Sequence, residues 1–244
     1  MSEVRVENEI KLISPGGPFA FDENDSSEAV TFIRDLIART GMTGSEPRFI
    51  RMKDEYFSDR KDSFRDMGII LRYRVKDGWK HTVTLKQPYI RNGMGLSRRE
   101  TETTLPEIPV SRFEAIEKLA GDYLEDPDVD PVPRLADDIL RMRIDLRSDV
   151  RSYNLSFDRI VYYDPRSRKY TNPGYEMEIE SLDQPIKDDR SIMRFVSLLI
   201  DSGNFREERI SKYARGRKWT DTIQKPSETP QETISEKRWG FAPP

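Results

Sequence analysis

A chain of 244 residues with 41 basic and 44 acidic side chains, net charge −3, has room for one large domain and lacks the overall basic field that nucleic-acid binding requires. Charged residues make up 35% and hydrophobic ones only 35%, yet aromatics at 10% argue for a folded protein that places charge somewhere unusual. The absence of cysteine excludes disulfides, thiolate metal sites and a cysteine nucleophile, and a single histidine, His81, excludes a multi-histidine zinc site.

No apolar signal region and no run long enough to span a bilayer are present, so the expectation is a soluble, cytoplasmic protein with neither membrane nor nucleic acid as partner.

The first expected element is a strand through Val6-Glu7-Asn8-Glu9-Ile10-Lys11. Alternation puts Glu7, Glu9 and Lys11 on one face and Val6, Asn8, Ile10 and Leu12 on the other. Two carboxylates and an ammonium in a row can hold a divalent cation and a phosphate together, because hard cations take oxygen ligands. Ser14-Pro15-Gly16-Gly17-Pro18 breaks the strand, and a helix is expected over about 26–39, with Ala29, Ile33, Leu36 and Ile37 as its apolar stripe, Asp25 or Ser26 as cap and Gly41 as stop. Asp54-Glu55-Tyr56-Phe57-Ser58-Asp59 reads as a second strand entering a turn.

Residues 69–75 and 79–86 predict a hairpin about Asp77-Gly78, closed by Pro88. Arg72 and Arg74 share one face of it against Leu71, Tyr73 and Val75; Thr82, Thr84 and Lys86 oppose His81, Val83 and Leu85, which makes His81 a packed structural side chain. A strand over 97–105 places Arg98, Glu100 and Glu102 together. Ser111-Arg112-Phe113-Glu114 fits a capping box opening a helix to about 123, and the acidic, proline-rich stretch 126–133 reads as an internal loop.

Strands follow at 140–146, with Arg141 and Arg143 against Leu140, Met142 and Ile144, and at 153–163, with Asn154, Ser156 and Asp158 against Leu155 and Phe157. Residues 175–180 set Glu176, Glu178 and Glu180 on one face, and a helix over 189–201 buries Ile192, Phe195, Val196 and Leu199 before Gly203. Ile210-Ser211-Lys212-Tyr213-Ala214-Arg215-Gly216 comes next. From about Thr220 the composition turns to Pro, Glu, Thr, Gln and Ser, giving a domain over 1–219 and a flexible tail over 220–244, whose Arg238-Trp239-Gly240-Phe241 is assigned no function.

What recurs is a strand with one apolar and one charged face. An ordinary antiparallel sheet turns charged faces to water. Here signs cluster within strands and Arg and Glu dominate, whereas exposed faces intersperse both signs. A closed barrel, apolar outside beneath helices and charged within, accounts for both features. A dry interior would not tolerate that charge, but a wet tunnel filled by metal and a polyanion would, with Arg as the fork for phosphate oxygens.

Glu7-Asn8-Glu9-Ile10-Lys11 resembles the ExExK signature of the CYTH, or triphosphate tunnel metalloenzyme, superfamily. Leu71-Arg72-Tyr73-Arg74, Thr84-Leu85-Lys86, Arg98-Arg99-Glu100-Thr101-Glu102, Glu176-Met177-Glu178-Ile179-Glu180 and Ser211-Lys212-Tyr213 follow in the family's order, over roughly residues 3–218. The resemblance implies an α+β fold, an eight-stranded antiparallel β-barrel (tunnel) with a charged interior flanked by helices. It also implies Mg²⁺ or Mn²⁺ as cofactor, a triphosphate-containing small molecule as partner, and admits a homodimer.

Carried over, the metal ligands are Glu7, Glu9, Glu100, Glu102, Asp158, Glu176 and Glu178, with Glu180 nearby. The phosphate-binding set is Lys11, Arg72, Arg74, Lys86, Arg98, Arg141, Arg143, Lys212 and Arg215, and the catalytic set is Glu7, Glu9 and Lys11. The implied reaction is hydrolysis of a triphosphate at its terminal phosphoryl group. The alternatives are a class IV adenylyl cyclase, whose members carry a His-Phe pair before ExExK that is missing from residues 1–6, and a non-catalytic polyphosphate binder. Tripolyphosphate, thiamine triphosphate and nucleoside triphosphates share the phosphate handle. Trp79, Tyr56, Tyr89 and Tyr163 are the aromatics available to read the remainder of a substrate.

Overall fold

Strand β1 (Ser2–Ser14) serves two neighbours, and that double service closes the sheet. In this computed structural model, which describes residues 2–15, 21, 25–92, 95–106, 112–124, 129–181, 186 and 189–224, the first half of β1 pairs with β7 (Gly95–Thr104) and the second half with β10 (Gly174–Ser181). Between them run β9 (Ser152–Tyr163), β8 (Val132–Arg147), β3 (Arg48–Ser58), β4 (Ile70–Lys76) and β5 (Lys80–Lys86), each antiparallel to the next. The order β1-β10-β9-β8-β3-β4-β5-β7 returns to β1, an eight-stranded antiparallel barrel. Short strands β2 (Thr43–Gly44), β6 (Ile90–Asn92) and β11 (Arg206–Glu207) pair at its margins.

Local chemistry explains the joins. Asp77 (φ 52°) and Gly78 (φ 80°) both adopt the left-handed region that a two-residue hairpin turn requires between β4 and β5. Helix α4 (Arg190–Asp201) is capped by Asp189, whose carboxylate accepts from the amides of Ser191 and Ile192. Helix α1 (Ser27–Arg39) starts after Ser26 without a side-chain cap and is followed by Gly41 at φ 73°. Together α1 and α4 cover Ile10, Leu12, Leu155, Phe157, Met177 and Ile179 on one outer side of the barrel. Helix α3 (Arg112–Leu124), with the short α2 (Ser63–Asp66), covers Leu71, Tyr73, Val83 and Leu85 on another. His81 belongs there as expected, its Nδ1 2.7 Å from the Tyr73 hydroxyl and its ring stacked on Tyr73.

Three features depart from the sequence reading. β3 begins at Arg48, six residues before the expected strand, and β8 begins at Val132. Pro133 therefore lies in a strand instead of a loop; it stands opposite Phe57, where the β3–β8 register shifts, a place that tolerates its missing N–H. Lys212–Gln224 forms helix α5, which the sequence had left without an element. Ser211 caps it by accepting from the Ala214 amide at 3.1 Å. α5 passes through Thr220 to Gln224; the expected tail beyond, the residues Gly16-Gly17-Pro18, Ser111 of the capping box and residues 126–128 lie outside the described residues.

The barrel interior is charged, and it also carries an apolar cluster the sequence did not suggest. Met52, Tyr56, Ile70, Leu135, Ile139, Ile160 and Tyr162 share the inward face with Asp54 and Arg141, and Tyr213 of α5 packs among them. The approach of α5 requires Gly216: a Cβ there would sit 2.8 Å from Tyr162 Cδ1 and closer still to Leu135. One end of the barrel is thereby stopped with apolar side chains.

Candidate active site

The inward faces of all eight barrel strands enclose a cavity of about 700 Å³, counting its open mouth. Glu7, Glu9, Lys11, Arg72, Arg74, Lys86, Arg98, Glu102, Arg141, Glu178 and Lys212 line it, joined by Arg5, Tyr56, Ser156 and Glu180. Period-two alternation is what delivers them: residues 7, 9 and 11 of β1 and 176, 178 and 180 of β10 fall on the same side as their cross-strand partners.

On β1, Glu7 accepts from Lys86 Nζ at 3.0 Å and from Arg98 Nε at 2.7 Å. Burial acts to raise the Glu7 carboxyl, but Arg98 and Lys86 override it and hold it well below the usual range. Glu9 pairs with Lys11 at 3.1 Å and accepts a short hydrogen bond from the Tyr89 hydroxyl. Lys11 also lies 3.3 Å from Glu178, and these anions raise its ammonium well above the ordinary value in spite of burial. Glu100 is fully buried behind this wall, paired with Arg5 at 3.0 Å and Lys86 at 3.1 Å, while Glu102 accepts from the Thr84 hydroxyl at 3.2 Å.

A second convergence lies where β9 and β10 meet α5. Lys212 Nζ stands 2.5 Å from Glu176 Oε1, 2.7 Å from Glu178 Oε1 and 3.1 Å from Asp158 Oδ2. Arg141 grips Asp158 with two bonds of 2.7 Å and reaches Glu178 at 2.9 Å. Burial is opposed at Glu178 by Lys212, Lys11 and Arg141, which hold its carboxyl well below the usual range; at Glu176 burial wins and the carboxyl is raised.

Not every expected residue reaches the cavity. Glu100, Asp158 and Glu176 lie behind its lining, each closed off by lysine or arginine. Arg215 is turned toward Glu176 and Glu208 on the far side of α5, and Arg143 binds Asn154 at 2.6 Å with its side chain 32% exposed, at the end where β8 finishes. Of the aromatics, Tyr56 lines the cavity and Tyr89 lies against Lys11, with Arg98 4.2 Å above its ring. Trp79 is 62% exposed and Tyr163 packs with a tilted ring against Tyr170, neither of them lining the cavity. The sequence reading missed Arg5, which lines the cavity from the open edge of β1, and the buried pair Asp54 and Asp137; extending β3 and β8 to their true starts would have found the pair in phase with Tyr56 and Arg141.

Whether these carboxylates suit a divalent cation can be judged from the donors. All are hard oxygens, the type Mg²⁺ and Mn²⁺ take. Three converge on one positive atom, Lys212 Nζ, and among them Glu176 Oε1 is buried without a hydrogen bond, its ammonium contact being ionic only. Among the described residues no three carboxylates form a ready-made metal cage, since lysine and arginine stand between them. The donor set therefore fits such an ion by chemistry, with the ammonium groups as its competitors.

The CYTH domain model matches residues 29–194. That stretch excludes Glu7, Glu9, Lys11 and Lys212, which enter the site through the barrel's geometry alone. Comparison with curated proteins gives no match. Among solved structures, the chain is similar to HpAC1 from Hippeastrum, a candidate adenylyl cyclase with a dominant triphosphatase activity, at TM-score 0.55 and 16% identity, covering 87% of this chain and 96% of that one. It is also similar to a candidate adenylate cyclase from Bacillus halodurans (TM-score 0.48, 18% identity, 87% and 97% covered) and to PH1819 from Pyrococcus horikoshii (0.49, 18%, 88% and 99%). Identities this low speak to fold alone. With the domain model spanning more than half of the sequence, and a closed eight-stranded barrel with charged faces turned inward, the chain belongs to the CYTH domain family.

Proposed function

We propose that this protein is a divalent-metal-dependent hydrolase of triphosphates. The observation that carries the reading is the cavity's mixed charge: Glu7, Glu9 and Glu178 line one space together with Arg72, Arg74, Arg98 and Arg141. An anion receptor gains nothing from carboxylates unless they hold metal. Glu7, Glu9 and Glu178 would hold Mg²⁺ or Mn²⁺, with Glu102 near the mouth and Asp158, Glu176 and Glu100 supporting from behind. When bound, the ion neutralises the phosphate chain and eases departure of the leaving group.

The remaining work falls to the chain's own side chains. Arg72, Arg74, Arg98 and Arg141 offer planar forks to phosphate oxygens, and Lys11, Lys86 and Lys212 add point charges. Catalysis is mostly positioning and electrostatic stabilisation, as phosphoryl transfer demands. A carboxylate of β1 or β10 takes the proton of the attacking water. The triphosphatase activity ascribed to the Hippeastrum relative is consistent with this choice over cyclisation.

Phosphate release from tripolyphosphate, ATP and thiamine triphosphate, with Mg²⁺ or Mn²⁺ and with chelator, tests the reading. Metal-dependent release from at least one is the expected result. Cyclic AMP and pyrophosphate from ATP, with no phosphate released, would overturn it in favour of a cyclase.

A further inference from the structure

Beneath the cavity's arginines lies a carboxyl pair that the proposed reaction does not use. Asp54 on β3 and Asp137 on β8 are cross-strand partners turned inward, 1% and 3% exposed. Asp54 is bracketed by Arg74, Nε to Oδ1 and Nη2 to Oδ2 both at 2.6 Å, and Arg72 Nη1 stands 3.7 Å from Oδ2. The Tyr56 hydroxyl lies 3.1 Å from Asp137 Oδ2 and 3.3 Å from Asp54 Oδ2, and Asp137 Oδ1 is buried without a hydrogen bond.

Arg72, Arg74 and Tyr56 line the cavity, whereas neither aspartate does. We propose that Asp54 is a positioning residue for substrate phosphate, fixing the guanidinium groups of Arg74 and Arg72, with Asp137 and Tyr56 holding Asp54 in place. This rests on the cavity being a phosphate site. A guanidinium clamped along its Nε–Nη2 edge turns its other edge outward in one orientation, so a phosphate meets a donor already ordered.

The second carboxyl follows from charge. Arg72, Arg74 and one carboxylate sum to +1, a charge that a second ionised carboxylate would cancel. Two acids side by side in a buried site do not both ionise readily. Burial and the Asp54 charge push the Asp137 carboxyl well above its ordinary value, while Asp54 stays low through Arg74 and Arg72 against the same burial. That difference favours Asp137 as the member that keeps its proton, with the Tyr56 hydroxyl lying between the two carboxyls.

The test is calorimetric binding of inorganic tripolyphosphate to wild type, Asp54→Asn and Asp137→Asn, alongside kinetics and thermal unfolding of each. Asp54→Asn should weaken tripolyphosphate binding and raise KM about tenfold, with a smaller change in kcat, because it loses a charge-assisted bidentate bracket. Asp137→Asn, whose amide resembles a neutral acid, should lose at most about threefold. Equal losses in the two variants, or an Asp54→Asn that unfolds earlier yet binds and turns over with unchanged Kd and KM, would overturn the proposal. Should Asp54→Asn not fold, Arg74→Lys removes the same bracket from the other side; unchanged affinity there overturns it as well. Wild type that binds tripolyphosphate without hydrolysing any triphosphate refutes the hydrolase reading alone; wild type that does not bind it overturns the positioning proposal, and refutes both readings if no triphosphate is hydrolysed either.

Discussion

On the wall made by β3, β4, β8 and β9, carboxylates meet guanidinium forks: Asp54 takes two bonds from Arg74, and Asp158 two from Arg141. On the wall made by β1, β7 and β10 they meet ammonium groups. Lys11 stands between Glu9 and Glu178, Lys86 between Glu7 and Glu100, and Lys212 reaches over from α5 to Glu176 and Glu178. Guanidinium groups reach this wall as well, Arg98 on Glu7, Arg5 on Glu100, Arg141 on Glu178 and Arg215 on Glu176, so the difference lies in the added ammonium groups. A fork is planar and directional, whereas an ammonium is a compact charge on a flexible stem. The first wall holds its carboxylates mainly on directional forks and is the fixed wall; the second adds flexible ammonium groups and, on the proposed function, is the exchangeable one. On the proposed function, the forks would grip phosphate and the carboxylates beside the ammonium groups would hold the metal.

The largest effect should come from removing a carboxylate of the exchangeable wall. Glu9→Gln is expected to lower metal-dependent turnover by about 10²-fold or more while leaving the far-UV circular dichroism unchanged. Full activity in that variant would remove Glu9 from the site. Next, Lys86→Met leaves Glu7 and Glu100 without their shared ammonium inside the barrel. Arg98 still holds Glu7 and Arg5 still holds Glu100, so urea unfolding should show a loss of about 1–3 kcal/mol, less than the cost of orphaning a buried charge outright. Without metal that loss should be greatest; added Mg²⁺ restoring part of it would show the ion replacing the lysine.

Gly216→Ala probes the stopped end. Its methyl would meet Tyr162 and Leu135, so α5 must shift, at about 1–3 kcal/mol by thermal unfolding. The fixed wall has a pH signature of its own. Asp137 is raised in the folded state above its ordinary 3.8, so its contribution to stability is fully present below that pH and is lost as pH rises through the folded value. Asp137→Asn should therefore gain in melting temperature relative to wild type between about pH 4 and pH 7; a constant difference would mean that Asp137 does not titrate abnormally. The smallest effect is Gly78→Ala, which forces a side chain to φ 80° and should cost about 1 kcal/mol in urea unfolding.

The charged faces were legible because alternation survives any error in strand ends: Glu7 and Glu9, Arg72 and Arg74, and Glu176 and Glu178 share faces whether a strand begins two residues early or late. Strand starts were not legible in the same way. Arg48 to Lys53 alternates charge with Phe49 and Ile50 in no clear phase, and Pro133 disguised the first turn of β8 as loop. Asp54 and Asp137 went unnoticed as a pair because Asp137 lies in the part of β8 ahead of the expected strand at 140–146, and their meeting depends on the register between two strands far apart in sequence. α5 escaped because its buried side is made of Lys212, Tyr213, Gly216, Arg217 and Thr220, too polar to read as an apolar stripe. Lys212 was expected to grip phosphate; its three carboxylate contacts show that it also stands where those anions converge.

The most direct measurement of the central claim is phosphate release from tripolyphosphate across a Mg²⁺ titration, run on wild type and Glu9→Gln side by side. The expected result is release that requires the metal in wild type and is lost in the variant at every concentration. Release that persists in chelator, or equal release by both proteins, would contradict it.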